Sequence, residues 1–169
     1  MKLSTKELTL CAMLTAMALG LSYLENLFPV LIPVPGVKLG LANIVTLFAL
    51  YALGGGQAML ILLGRCVLGA VFAGNMNAMI FSVLGGVTAM AVMILLSRGK
   101  KLSVYGVSIG GAAGHNCGQI AAAMITLGNT APLYYLPVLL GVSLGTGAVT
   151  GLVCAGVFRA LGRTGLMKG

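Results

Sequence analysis

Apolar residues run along this chain in long, nearly unbroken stretches, separated by short breaks of glycine, proline, asparagine or charge. An apolar stretch near 20 residues spans a bilayer core as a helix, and the breaks here divide the chain into six such segments. The first runs over 7–24. Glu25, Asn26 and then Pro29, Pro33 and Pro35 end it. Prolines that dense exclude a regular helix, so 25–37 is read as a loop, partly apolar through Phe28, Val30, Leu31 and Ile32, lying at the membrane surface. The second segment covers 38–53 and stops at Gly54-Gly55-Gly56. The third covers 57–73, followed by a tight turn at Gly74-Asn75-Met76-Asn77. The fourth covers 78–96, the fifth 104–127, with Gly128-Asn129-Thr130 as its stop, and the sixth 132–161. The expected fold is all-α, an integral membrane bundle of six transmembrane helices forming one domain over 1–169.

Composition turns this pattern into a statement about solvent. The chain is 59% hydrophobic and 7% charged, against roughly 25% charged in soluble domains. Too few charges exist to cover a water-facing surface, and lipid removes that requirement. Lys2 and Lys6 ahead of an apolar run, with Ala16-Met17-Ala18 as an A-x-A pattern, also suit a signal peptide; the segment is read as the first helix.

The formal net charge of +8 concerns orientation rather than nucleic acid, because the cations fall in the polar breaks. With a cytoplasmic N-terminus, six crossings return the C-terminus to the same side. Lys2, Lys6, Arg98, Lys100, Lys101, Arg159, Arg163 and Lys168 then lie inside, while the outer breaks hold Glu25, with Lys38 at the border. That is the positive-inside asymmetry, and it predicts a multi-pass protein of the cytoplasmic membrane with both termini cytoplasmic. Tyr23, Phe28, Tyr134 and Tyr135 would mark the outer interface, and Tyr51 and Tyr105 the inner one. Cys11, Cys66, Cys117 and Cys154 all sit in apolar stretches without a CxxC pair, the pattern of small packing residues. Small residues recur every four positions: Ala12, Ala16 and Gly20; Gly110, Gly114 and Gly118; Gly141 and Gly145; Gly147, Gly151 and Ala155. Such ridges let helices approach closely. The later ones are read as packing within the chain.

Candidate chemistry is sparse. The sequence has no aspartate, glutamate only at 7 and 25, and one histidine. Paired carboxylates for acid–base work are missing, as are a histidine-clustered metal site, a ligand set for haem or an iron–sulfur cluster and a Walker A loop. No enzyme activity and no cofactor are expected. What remains is a polar set inside the apolar segments: Lys38, Asn43, Arg65, His115, Asn116 and Gln119, with His115 and Gln119 four apart on one helical face. An arginine near the bilayer centre costs about 2.5–3.5 kcal/mol on insertion scales, so such residues face an interior or a wet cavity. Two readings are open. The set could be structural, with Arg65 paired to Glu25 and the amides bonding between helices. Alternatively it lines a substrate pocket in the outer half of the bundle, under the 25–37 loop, whose unpaired cations favour a small anionic or amphipathic ligand.

The run Pro33-Val34-Pro35-Gly36-Val37-Lys38-Leu39-Gly40-Leu41-Ala42-Asn43-Ile44 resembles the opening of the second helix in the Gx transporter family, also labelled heptaprenyl diphosphate synthase component I. That family is similar to the substrate-binding S components of energy-coupling factor (ECF) transporters. Ala12-Met13-Leu14-Thr15-Ala16 matches the AxxxA motif of their first helix, which docks on the transmembrane T subunit. The resemblance spans the chain. It implies a membrane substrate-binding subunit, with Ala12 and Ala16 as a partner interface and the T subunit and ATPases of an ECF module as partners. Tryptophan-bearing vitamin signatures are absent, so no substrate carries over. The synthase label implies an alternative, a membrane accessory subunit of a prenyl diphosphate synthase. Catalysis there resembles two aspartate-rich motifs holding Mg²⁺, which a chain without aspartate does not supply. A structural membrane partner in a larger complex is the third reading.

Overall fold

A computed structural model describes residues 4–27, 40–99 and 102–163. Six α-helices follow one another: α1 (Thr5–Leu27), α2 (Leu41–Ala52), α3 (Gly55–Ala73), α4 (Met76–Arg98), α5 (Val104–Leu127) and α6 (Leu136–Arg163). A 3₁₀ turn at Ala131–Tyr135 leads into α6. The fold is the expected all-helical bundle. Four stretches, Thr5–Glu25, Gly55–Ala73, Met76–Arg98 and Ala131–Leu161, are long and apolar enough to cross a membrane. The other two helices differ in kind. At 12 residues, α2 is about 18 Å long, short of the ~30 Å hydrocarbon core. In α5, five glycines together with His115, Asn116 and Gln119 dilute the apolar character.

Local chemistry sets most boundaries. Ser4 and Glu7 form a reciprocal capping box: the Glu7 amide donates to Ser4 Oγ (3.3 Å), and the Ser4 amide donates to Glu7 Oε2 (2.8 Å). The first helix therefore begins at Thr5, ahead of the expected 7. It also runs through Glu25, which the sequence reading had placed in the loop. Gly40 precedes α2 at φ 79, a left-handed conformation that glycine adopts freely, so α2 begins at Leu41 rather than 38. Asn75 caps α4 by accepting from the Ala78 amide at 3.1 Å, and the expected tight turn over 74–77 shrinks to Gly74 and Asn75. Ser103 and Gly128 bound α5 where expected.

Packing order around the bundle is α1, α3, α4, α5, α6, α2 and back to α1, with α2 also against α3. Leu47, Ile61, Leu62, Met90 and Val107 are fully buried at its centre. The α4–α5 seam is the tightest. A Cβ on Gly118 would collide with Thr88 Oγ1 and the Leu84 carbonyl and lie 2.8 Å from Gly85 Cα. Across the same seam the Thr88 hydroxyl lies 2.9 Å from the Gly114 carbonyl, while also 2.7 Å from that of Leu84. Gly147 and Gly151 meet α5 in the same way, with Cβ positions 2.6 Å from Ile109 Cα and 3.0 Å from Tyr105 Cα. These ridges do pack within the chain. Gly141 and Gly145 do not: nothing lies within 4 Å of a Cβ built on either. On α1, Ala12, Ala16 and Gly20 are exposed and turned away from the bundle, beside Met13 and Met17. All four cysteines are free, three of them buried; Cys117 is exposed on the outer face of α5.

Candidate functional site

Helical periodicity carries one arginine into the bundle. On α3 the buried residues are Ala58, Ile61, Leu62, Cys66 and Ala70, spacings of three and four that define one inward face. Arg65 lies on that face. Its Nη2 donates to Asn43 Oδ1 on α2 (3.1 Å) and its Nη1 to Ser22 Oγ on α1 (3.4 Å). Its Nε is enclosed and has no hydrogen-bond partner. No carboxylate among the described residues lies within ion-pair distance of it. Glu25, the candidate counter-ion, lines the same cavity but uses its carboxylate otherwise: Oε1 accepts from the Gly40 amide at 2.6 Å. That bond ties the end of α1 to the start of α2, placing a negative group where the α2 dipole favours one. The anion at the α2 N-terminus is thus the protein's own.

The cavity beside Arg65 has a volume of about 60 Å³ and is lined by Ser22, Glu25, Gly40, Ala42, Asn43, Arg65, Ser82, His115 and Gln119. It accommodates a small polar group or a few waters. Its walls come from five helices, all in the half of the bundle that carries the C-terminal ends of α1, α3 and α5. His115 and Gln119 reach it from α5 because α4 offers glycine opposite: a Cβ on Gly85 would lie 2.9 Å from His115 Cε1 and 3.1 Å from Gln119 Cγ. The amide oxygen of Gln119 is enclosed and unbonded.

Asn43, Arg65, His115 and Gln119 are therefore brought together. Asn116 is not: it is buried on another face of α5, where its Nδ2 donates to the Leu139 carbonyl of α6 at 2.7 Å. One residue along a helix is a rotation of about 100°, which turns Asn116 away from the face His115 shares with Gln119. Lys38 and most of the 25–37 loop lie outside the described residues. Sequence reasoning missed Ser22, Ser82 and Glu25 as members of the cavity. Ser22 and Glu25 are three apart, hence on one face, and that spacing was the available signal.

A second cavity adjoins the first. It holds about 400 Å³ between α4, α5, the 3₁₀ turn and α6, and is lined by apolar side chains including Phe81, Ile120, Leu127, Tyr135 and Leu139. Gln119 is common to both linings. Among the described residues no group of three or more histidine, cysteine, aspartate or glutamate side chains is placed to hold a metal.

A chain of this architecture, with one buried cation among the described residues, matches a family model along most of its length: the model described as heptaprenyl diphosphate synthase component I covers residues 14–157. The chain belongs to that family. It is a membrane component and not the catalyst. No curated protein and no solved structure matches it.

Proposed function

We propose that the chain is a membrane substrate-binding subunit, similar to an ECF S component, that captures a small anionic or amphipathic molecule for uptake across the cytoplasmic membrane. The observation that carries this reading is Arg65: a cation inside an apolar bundle, bonded only to neutral groups, beside a polar cavity. A charge in such a place is costly, and an anionic ligand compensates it. Asn43, His115 and Gln119 would orient the ligand, and Lys38 is the further candidate from the sequence; Ser22 and Ser82 supply further hydroxyls. The cavity's place in one half of the bundle supports access from the outer side, given the charge asymmetry that sets both termini in the cytoplasm. Reaction of engineered cysteines in 28–37, but not in 98–101, with an impermeant thiol reagent is the expected topology result; the converse pattern inverts it.

Ala12 and Ala16 form the proposed surface for a partner such as a T subunit. Their exposure, on a helix face with small residues at four-residue spacing, supports this. The second reading, a non-catalytic accessory subunit of a prenyl diphosphate synthase, is favoured by the family description itself; its partner would be the other synthase component. Two experiments separate them. Uptake of labelled anionic candidates into cells expressing the full chain, with and without an energising ATPase module, should rise only with chain and module together. Co-purification with a synthase catalytic subunit, accompanied by a change in its product, with no module-dependent uptake, would favour the accessory reading instead.

A further inference from the structure

The polar cavity is too small for most metabolites, and its inner wall is not closed by a core residue but by Gln119, which faces the large apolar groove on its other side. Phe81 and Ser82, adjacent on α4, divide in the same way: Ser82 lines the polar cavity and Phe81 the groove. A head site of one polarity thus abuts a tail site of the other, at one depth in the bundle. The groove is also open on the bundle's outer surface. Of its lining residues, Leu127 is 63% and Tyr135 59% exposed, at positions that would face lipid. A dry apolar trough of this size in a soluble protein would call for a covering partner. Here the surrounding hydrocarbon can deliver an occupant directly.

We propose, building on the anion-binding reading above, that the ligand is a single-chain amphiphile: an anionic head at Arg65 and Asn43, and a hydrocarbon tail lying past Gln119 along the groove between α4, α5 and α6. Entry is sideways from the outer leaflet, between α4 and the 3₁₀ turn, so the tail never crosses water. In hydrocarbon the tail gains little from burial, because lipid is as apolar as the groove. Selectivity therefore rests on the head, and the tail fixes orientation and route. Gln119 is a positioning residue at the junction, with its enclosed amide oxygen available to a protonated head oxygen.

The test uses the full chain in phosphatidylcholine nanodiscs and three photoprobes of equal length, each a dodecyl chain with a terminal diazirine: a phosphate, a carboxylate and an uncharged glycoside. Labelled residues are mapped by mass spectrometry. At least one anionic probe should label Phe81, Ile120, Leu127 or Tyr135, and the glycoside should not. Arg65→Met should reduce that labelling about tenfold, the loss of ~1.4 kcal/mol of head affinity. Ala123→Trp, which fills the groove, should divert the label, and Ala131→Trp at its exposed mouth, outside α1–α6, should do the same. If the groove labels equally with the glycoside, or if both tryptophan variants leave the pattern unchanged, the tail assignment is overturned. In that case an Arg65-dependent retention of short-chain phosphate or carboxylate would leave the anion site standing. If no anionic probe of either length depends on Arg65, the anion site falls as well.

Discussion

Substituting Gly118 by alanine tests the seam that holds the candidate site together. The added methyl would meet Thr88 Oγ1, the Leu84 carbonyl and Gly85 Cα, the last at 2.8 Å. Two of those three are backbone, which cannot rotate aside, so α4 and α5 must separate. Overpacking of this kind costs about 1–3 kcal/mol. Separation also strains the contact between the Thr88 hydroxyl and the Gly114 carbonyl at 2.9 Å, worth about 0.6 kcal/mol on average in a membrane. Against this stands the better helix propensity of alanine, about 0.8–1 kcal/mol. The net expectation is a loss of about 1–3 kcal/mol. Gly141→Ala is the internal control: nothing lies within 4 Å of its Cβ position, so only the propensity gain remains and stability should hold or rise slightly. Equilibrium unfolding of the full chain in mixed micelles, titrated with a denaturing detergent, measures both. If Gly118→Ala unfolds no more readily than Gly141→Ala, the close approach of α4 and α5 is wrong, and so is the placement of His115 and Gln119 against Gly85.

Other substitutions separate structure from binding. Arg65→Met removes two hydrogen bonds of about 0.6 kcal/mol each but also a charge costing about 2.5–3.5 kcal/mol to insert, so the ligand-free protein should unfold at equal or higher denaturant; marked destabilisation would show a structural role for the guanidinium. Asn116→Leu breaks the bond to Leu139 and should destabilise by about 0.6–1.7 kcal/mol while leaving anion binding intact, and lost binding at unchanged stability would return Asn116 to the site. Ala16→Leu places bulk on an exposed face and should weaken co-purification with a membrane partner without changing the unfolding of the isolated chain. If the isolated chain unfolds more easily, the face packs internally.

Much of the fold was legible because its punctuation is chemical. Ser103 and Gly128 bracket α5, and the prolines from Pro29 onward sit beyond α1. The misplaced ends have equally local causes: the Ser4–Glu7 box was not read as a start, and Glu25 was taken as a helix stop although a single carboxylate does not break a helix. That mistake hid the bond from Glu25 to Gly40, which holds the carboxylate at the start of α2 rather than in an ion pair with Arg65. Spacing of four identified the glycine ridges but not their side, since the same spacing puts Gly118 against α4 and leaves Gly141 facing outward. Within the site, charged and amide residues stood out against an apolar background, whereas Ser22 and Ser82 did not, because hydroxyls can bond their own helix and are ordinary there. The apolar groove was illegible altogether. Phe81, Ile120 and Leu139 look like any other lipid-facing or core positions until the helices are assembled.

The central claim is that Arg65 is held in the bundle to bind an anion. The most direct measurement is anion binding to the full chain in nanodiscs, read as a stability increase on titration with short-chain alkyl phosphates and carboxylates, for the unaltered protein, Arg65→Lys and Arg65→Met. A ligand at 100 times its Kd raises stability by about 2.7 kcal/mol. The account expects such a gain for the unaltered protein with at least one anion, a smaller one for the lysine variant, which keeps the charge but not the two-pronged geometry, and none for the methionine variant. An equal gain in all three proteins, or none in any, would contradict it.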